Sequence, residues 1–434
     1  MPLGWLILLQ GVAALLIRYD WGYGVLRGTI LVVLLVLLVL LHLKPSALVA
    51  ITSLPKWLGL LLTLAFAADL CAAGAATVQS LRTYQIPLDE GQTTWTAAEL
   101  LLKGENPYGT GALVDRMAYM LRLPERIDAG VGPRLPAPLL SSAFRRYERT
   151  LDPALHEDLL PLSSQAGGEA ARETRLTGYK YGPVILLLSI PIVWLGVPAA
   201  MVATNAALAL ALSATMWLIL RGVAGSATGL AALGLAALLL DPPIVWNFME
   251  NTATDVWSLL FCALAILAFG RKRSSLMSVA LAAAVGCKLF PSLLLVPLLL
   301  RWRSVRPIAI FLLATVAIYL PFLIWDARGL IDNVFLWPLY TTPDDTSWLY
   351  GAPPAVAIAV RAIAFAAIAV LIARFLLDRE TRLFWTLSLA SILLILSGRA
   401  MHNNYIPWAS IWWVTAVVEK FSEKSDLGQR LRQA

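Results

Sequence analysis

Long runs without a single charged residue recur through this sequence and decide what kind of fold it can adopt. Leu31–Leu41, Leu58–Ala68 and Ile308–Leu320 are examples. In lipid, the backbone of such a run can satisfy its N–H and C=O groups only as a helix, because barrel strands would need apolar and polar residues to alternate. The sequence therefore predicts an all-α polytopic membrane protein.

The composition supports this prediction and bears on the partners. The chain is 59% hydrophobic and 14% charged, whereas soluble proteins are about half apolar and about a quarter charged. Its net charge is +7. The positive excess lies mainly in short loops and in the C-terminal tail, where it indicates membrane topology and contact with anionic lipids. No nucleic-acid partner is expected, because basic runs are not interleaved with aromatic residues.

Cysteine and histidine are too sparse to suggest a metal centre. The chain has three cysteines and three histidines. All three cysteines lie in apolar stretches, so neither a disulfide framework nor a cysteine-based metal site is expected. The histidines are too scattered for a zinc site. We therefore expect no metal and no cofactor.

The apolar segments predict about ten to twelve transmembrane helices. They fall at about 4–18, 25–43, 57–78, 183–197, 199–220, 226–243, 253–270, 275–300, 306–325, 353–377, 382–398 and 404–418. Positively charged loops are retained on the cytoplasmic side. This rule places Arg271–Arg273, Arg301–Arg306, Arg374–Arg382 and the tail from Lys420 inside, so the polar segment 79–182 faces outward.

Two apolar segments do not fit a simple alternation of crossings. An even number of segments separates the outer loop from Arg271, although an odd number is required. Either 183–197, which contains Pro191, enters the membrane and returns, or Arg271–Arg273 lies outside; we favour the first. Segment 275–300 has basic clusters at both ends. It is predicted to be a hairpin whose apex, Lys288–Pro291, lines a cavity.

The outer loop is predicted to contain amphipathic helices. Asp89–Lys103 has apolar residues on one side, and Gly104–Pro107 ends that helix. A second amphipathic segment is expected at 113–123, with short helices around 138–150 and 152–160.

Candidate functional residues begin where this loop leaves the membrane. Asp89 and Glu90 would lie at the outer surface, where a carboxylate can act as a catalytic base; the alternative for Asp89 is a helix N-cap. Lys180, flanked by Tyr179 and Tyr181, lies where the loop returns. A lysine at a membrane-level cavity suits a phosphate, although tyrosines at an interface are often membrane anchors.

Further candidates lie within or between the apolar segments. An intramembrane lysine such as Lys288 normally faces a cavity or a partner, so either a phosphate contact or an ion pair with an acid is expected. The short outer turn contains Arg399, His402 and Asn403, which together suit an anion. Glu250–Asp255 opens a helix and has capping character, which predicts a structural or acceptor-positioning role.

Four stretches in this order resemble the GT-C superfamily of membrane glycosyltransferases, and most closely its bacterial branch of polyprenyl-phosphomannose-dependent mannosyltransferases. They are Asp89 followed by Ala98–Tyr108, then Tyr179–Pro183, then Gly286–Pro291 with Arg301–Arg303 behind it, and His402–Tyr405. The likeness covers about 57–418. Two departures are Tyr181-Gly182-Pro183, where the family has tyrosine–proline–proline, and Met249–Thr252, where it has glycine–glutamine–x–asparagine.

The resemblance implies a GT-C-like bundle and a division of the chain. Residues 1–56 would be an extra N-terminal transmembrane hairpin, and 57–418 would be the catalytic unit, including the outer loop 79–182. Residues 419–434 would form a cytoplasmic tail. The expected location is a bacterial plasma membrane, with the active site facing the non-cytoplasmic side.

The resemblance also implies the reaction. A hexose, with mannose favoured, would move from a polyprenyl-phosphate donor to a hydroxyl of a lipid or glycan acceptor, with inversion. Asp89 would be the base, with Glu90 beside it. The phosphate would be bound by Lys180, Lys288 and Arg399, with His402 orienting it. A divalent metal held by Asp89 and Glu90 is the less favoured variant. The alternative function is a secondary transporter or flippase of a lipid-linked or small anionic substrate.

Overall fold

The computed structural model describes residues 56–83, 86, 89–109, 178–239, 241, 244, 247–248, 252–302, 304–336, 347, 349, 352–378, 382–398 and 405–422. The predicted segments 4–18, 25–43, 113–123, 138–150 and 152–160 lie outside these ranges. Most of the tail and residues 1–55 of the predicted hairpin 1–56 lie outside them too. Within the described ranges every regular element is helical, so the all-α prediction is confirmed.

Continuous apolar sequence forms most of these helices, and capping side chains contribute little. The helices are α1 Lys56–Thr83, α2 Asp89–Leu102, α3 Pro183–Trp194, α4 Pro198–Ala224, α5 Thr228–Leu239, α6 Asp255–Gly270, α7 Ser274–Cys287, α8 Leu289–Leu293, α9 Pro297–Arg301, α10 Val305–Leu330, α11 Pro354–Leu377, α12 Leu383–Leu396 and α13 Ile406–Phe421. A π-helical turn, Ile331–Leu336, continues α10. Proline begins several helices, where its missing N–H costs nothing.

Four stretches of the described chain are long and apolar enough to span a membrane: Leu62–Arg82, Pro198–Ala224, Val305–Leu336 and Ala355–Leu377. Shorter apolar helices pack between them. The inner core is formed where α6 packs on α4 and α7, and where α13 packs on α4, α5 and α12. The chain is therefore a polytopic membrane protein whose shorter helices lie largely inside the bundle.

Contacts between helix ends place the basic loops together at one end of the bundle. The rings of Phe269 and Trp302 are 5.5 Å apart, and the Arg301 guanidinium donates to the carbonyl of Phe375. The Ser422 hydroxyl donates to the carbonyl of Val223 over 2.6 Å. The loops after α6, α9 and α11 therefore share one end, which we call the basic end. The loops after α4 and α13 lie there too, because α4 and α6 pack on each other and both begin near the bond from Asn205 to Ala253.

The predicted hairpin in segment 275–300 is confirmed. Helix α7 ends at Cys287, and Lys288 has extended backbone angles (φ −134°, ψ 115°). Four residues later the Ser292 hydroxyl donates to the carbonyl of Ala284 over 3.0 Å, which a continuous helix would hold far away. The chain therefore reverses at Lys288, and α8 and α9 return to the basic end.

Helix α3 is short and begins and ends at the same end of the bundle. It has 12 residues, which gives a length of about 18 Å, whereas a bilayer core is about 30 Å thick. Gly182, just before α3, donates its N–H to the carbonyl of Cys287 over 2.9 Å. Helix α4 also starts at this end and reaches the basic end only at Val223. The chain thus enters and leaves α3 at the Lys288 end, although α3 runs unbroken through Pro191.

Candidate active site

Four elements that are distant in sequence meet at the end of the bundle opposite the basic end. They are the first turn of α2, the start of α6, the α7–α8 break and the start of α13. The side chains that meet there are Glu90, Thr254, Asp255, Lys288, Tyr405 and Trp408. We call this set the Lys288 cluster.

Lys288 is held by two carboxylates. Its Nζ lies 2.6 Å from Asp255 Oδ2 and 3.1 Å from Glu90 Oε1. The side chains are largely buried, with relative exposures of 9% for Lys288, 7% for Glu90 and 0% for Asp255. A buried ammonium needs such compensation, because leaving it unpaired in a low-dielectric site is costly. The structure therefore shows the ion pair that the sequence left open as the alternative for Lys288.

Both carboxylate oxygens of Glu90 are engaged. While Oε1 accepts from Lys288, Oε2 accepts from the backbone N–H and from the hydroxyl of Thr254, over 2.7 Å and 2.8 Å. Burial raises the pKa of the Glu90 carboxyl, but the positive charge of Lys288 and the Thr254 donors more than offset it. The pKa is therefore lowered from its ordinary value of 4.5, and Glu90 favours its ionised form.

Both carboxylate oxygens of Asp255 also accept hydrogen bonds. The indole N–H of Trp408 donates to Asp255 Oδ1 over 2.6 Å, while Oδ2 accepts from Lys288. Sequence reasoning assigned the segment that contains Asp255 a structural or positioning role, and it missed Trp408. The available signal for Asp255 was an acid in the first turn of an apolar helix, one apolar segment before the segment that contains the intramembrane Lys288.

A buried amide holds the segment that leads into α6. Asn205, on α4, donates to the carbonyl of Ala253 over 3.2 Å and accepts from the indole N–H of Trp257 over 3.0 Å. This segment supplies the N–H of Thr254 to Glu90. Sequence reasoning also missed Asn205, whose only signal was an amide side chain inside an apolar helix.

Aromatic rings border the Lys288 cluster. Lys288 Nζ is 5.0 Å from the ring centroid of Tyr181 and 5.4 Å from that of Tyr405, both within cation–π distance. The Tyr179 ring is 5.5 Å from that of Tyr181, and the hydroxyls of Tyr179 and Thr94 are 3.1 Å apart. The tyrosines predicted to bind substrate thus adjoin the cluster.

The two described ends of the outer loop are tied to each other. Tyr179 donates its N–H to the carbonyl of Pro107 over 2.9 Å, and the Tyr108 hydroxyl donates to the carbonyl of Tyr181 over 3.0 Å. The kinked end of α10 packs on the same segment, where Asn106 donates to Asp326 Oδ2 over 3.0 Å. These bonds hold the residues next to Lys180 in place.

The glycine at 182 explains one departure from the family pattern. A Cβ added there would lie 2.1 Å from the carbonyl oxygen of Gly286, and the Gly182 N–H donates to Cys287. A proline would bring a ring into the backbone of α7 and would remove that donor. In this chain the close approach of two backbones requires glycine.

The structure brings together four of the residues predicted from sequence, namely Glu90, Tyr179, Tyr181 and Lys288. Lys180 is partly buried and lies between the two tyrosines in the chain. Asp89 is the first residue of α2 and precedes Glu90 in the chain. The predicted binding residues Arg399, His402 and Asn403 lie outside the described ranges, just before Tyr405. Among described residues, no group of His, Cys, Asp and Glu is arranged as a metal site.

Comparison with known proteins identifies one family. A family model described as Glycosyltransferase family 87 matches residues 179–398, just over half of the chain. The match includes Lys180, Asp255 and Lys288, whereas Glu90 and Trp408 lie outside it. No curated protein and no solved structure matches the chain.

Proposed function

Since the chain belongs to glycosyltransferase family 87, we propose that it transfers a hexose from a polyprenyl-phosphate donor to a hydroxyl of a lipid or glycan acceptor. Mannose is the hexose that we favour, from the resemblance of the four sequence stretches. The observation that carries the proposal is the Lys288 cluster, a buried polar site at the end of an apolar bundle opposite the basic end, beside the start of the outer loop.

The two ends of the bundle support an outward-facing site. Arg271–Arg273, Arg301 and Arg374 lie at the basic end, and clustered positive charge favours the cytoplasmic side. The Lys288 cluster is at the opposite end, so the proposed site faces away from the cytoplasm. A bacterial plasma membrane, with its lipid-linked donors and envelope acceptors, fits this arrangement.

The proposed chemistry needs a base and fixed positive charge. A phosphate is already a good leaving group, so no strong general acid is required. Asp89 takes the proton of the acceptor hydroxyl, which attacks the anomeric carbon as the bond to the phosphate oxygen breaks, with inversion. Lys180 and Arg399 stabilise the charge that develops on the phosphate. His402 and Asn403 orient the phosphate or the sugar.

Lys288 can contribute only part of its charge to a phosphate. An ammonium has three N–H donors, and Glu90 and Asp255 take two of them. The cluster has two carboxylates for one ammonium, so it does not by itself attract an anion. The cations of Lys180 and Arg399 must therefore supply most of the attraction, with the remaining N–H of Lys288 as a third contact.

We propose transfer without a metal ion. A divalent cation held by Asp89 and Glu90 would need free carboxylate oxygens. Both oxygens of Glu90 accept hydrogen bonds from Lys288 and Thr254, and these donors would have to leave. The geometry of Glu90 does not fit a metal ligand.

We place the prenyl chain of the donor on the exposed apolar surface of the long helices α10 and α11. Helices α10 and α11 both pack on the short helix α9, and only 17% of the residues in the apolar stretch of each helix are buried. Their remaining surface is apolar, with Leu313 at 70% and Ile363 at 70% exposure. A lipid chain lying along α10 would run from the basic end to the end at Asp326, which contacts Asn106.

Purified full-length protein in nanodiscs tests the proposal. We expect it to transfer label from polyprenyl-phosphate mannose to a component of a bacterial lipid extract, without a nucleotide sugar or an ion gradient. Polyprenyl-phosphate glucose tests the choice of hexose. Transfer from a nucleotide sugar, with none from any polyprenyl phosphate, would overturn the donor class.

Replacing Lys180 by Met is expected to raise the KM for the donor about 10- to 100-fold, because a hydrogen bond to a charged phosphate is lost. The change in kcat should be smaller. Lys103→Met is the matched control, since Lys103 is exposed just after α2 and loses the same charge. Equal donor KM values for the two variants would remove Lys180 from the phosphate site.

A further inference from the structure

We propose that Glu90, Lys288 and Asp255 act as one positioning unit, which holds the start of α2 and with it Asp89, and that Glu90 is not the catalytic base. This inference rests on the proposed function, because it assigns roles within the same site. It assigns different roles to the two adjacent acids that begin α2, Asp89 and Glu90.

The Glu90 carboxylate is hydrogen-bonded at both oxygens and largely buried. A base must accept a proton from the substrate and works best with a pKa near the working pH. Three donors from Lys288 and Thr254 engage the two Glu90 oxygens, and its side chain is only 7% exposed. The lowered pKa of Glu90 makes its carboxylate a weak proton acceptor.

The hydrogen bonds of Glu90 continue across several helices. Glu90 lies on α2, Thr254 precedes α6, and Lys288 lies at the break between α7 and α8. The chain of bonds continues through Asp255 to Trp408 on α13. One hydrogen-bonded network thus joins the helices around the site, and removing the Glu90 carboxylate breaks the bonds by which the network holds the first turn of α2.

Helix α2 packs tightly against the segment before α6. A Cβ added to Gly91 would lie 2.0 Å from Thr252 Oγ1 and 2.7 Å from Ile86 Cγ2. The first turn of α2 therefore packs directly on this segment, on the residue after Glu90. Because Asp89 and Glu90 are consecutive, fixing Glu90 and Gly91 also fixes the backbone of Asp89.

Removing one charge from the network has an electrostatic consequence. It distinguishes a single positioning unit from a base and a phosphate ligand that act independently. Removing Lys288 alone leaves two buried carboxylates next to each other without a counter-charge, which is the costly way to break a buried pair. Removing the charge of Glu90 at the same time relieves the repulsion. Residues of one unit give non-additive losses, whereas a base and an independent phosphate ligand give losses that multiply.

The test is a double-mutant cycle of Glu90→Gln, Lys288→Met and the double variant, measured by donor transfer. We expect Glu90→Gln to lower kcat about 10- to 100-fold, because a misplaced base costs about that much, with the donor KM within about twofold. The double variant should have a kcat no lower than Lys288→Met alone. Glu105→Gln, an exposed acid just after α2, is the control and should keep its kcat.

The pH–rate profile gives a second, independent readout. If Glu90 positions Asp89, the acidic limb of kcat/KM remains in Glu90→Gln, because Asp89 still titrates. Loss of that limb, or kcat losses that multiply in the double variant, would overturn the proposal. Size-exclusion chromatography of each variant restricts the comparison to folded protein.

Thermal unfolding of the wild type, Glu90→Gln, Lys288→Met and the double variant separates this inference from the proposed function. We expect the melting temperatures to show an interaction between Glu90 and Lys288 whether or not a donor is found. Lys288→Met should lower the melting temperature, and the double variant should recover part of that loss. Non-additive melting shifts without sugar transfer from any donor would overturn the proposed function, while the positioning network would remain supported. Additive melting shifts would overturn the network itself.

Discussion

Asp89→Asn is expected to lower kcat about 100- to 10,000-fold, the contribution of a positioned general base. The amide has nearly the same shape as the carboxylate but cannot accept the proton of the acceptor hydroxyl. The donor phosphate contacts are assigned to Lys180 and Arg399, so donor binding should survive. Asp89 is the first residue of α2, and asparagine also caps helices well, so the fold should be retained.

Two measurements check this prediction. Transfer of labelled sugar from a polyprenyl-phosphate donor gives the rate, and stabilisation against heat by unlabelled polyprenyl phosphate gives binding. Asp332→Asn is a suitable control, because Asp332 makes only a 3.8 Å ion pair with the exposed Arg328. Turnover near that of the wild type by Asp89→Asn would remove Asp89 from the mechanism.

Gly182→Ala is expected to lose much of the folded protein. The new Cβ would lie 2.1 Å from the oxygen and 2.5 Å from the carbon of the Gly286 carbonyl, and these backbone atoms cannot rotate away as a side chain does. Overpacking typically costs about 1–3 kcal/mol, and the bond from Gly182 to Cys287 adds about 1 kcal/mol when it breaks. The Tyr181 ring would move away from Lys288 as the backbones separate.

Gly74→Ala is the matched control for this substitution. Gly74 lies inside α1, and a Cβ there would meet nothing within 4 Å. Alanine is favoured over glycine in a helix by about 1 kcal/mol, so this variant should be at least as stable as the wild type. Melting temperatures and folded yield give the comparison. Equal stability of Gly182→Ala and Gly74→Ala would show that the two backbones separate easily.

Much of the fold follows from local sequence. The absence of charge over long runs predicts helices, because lipid leaves the backbone no other partner. The boundaries predicted after residue 182 agree with the helices within a few residues, except in 275–300. There the basic clusters at both ends predicted the reversal at Lys288, which the bond from Ser292 to Ala284 confirms. These are properties of neighbouring residues, so the sequence contains them directly.

The environment of Lys288 was decided by the tertiary structure. A lysine inside an apolar segment needs a counter-charge, and that requirement is met equally by a phosphate or by an acid. Its partners Glu90 and Asp255 are 198 and 33 residues away in the chain, so their contact depends on how α2, α6 and the α7–α8 break pack. The sequence by itself determined that the protein is a helical membrane bundle with an acid pair near the start of its long polar segment. Only the packing engaged Glu90 in the network, because an ion pair between distant residues forms only once their helices meet.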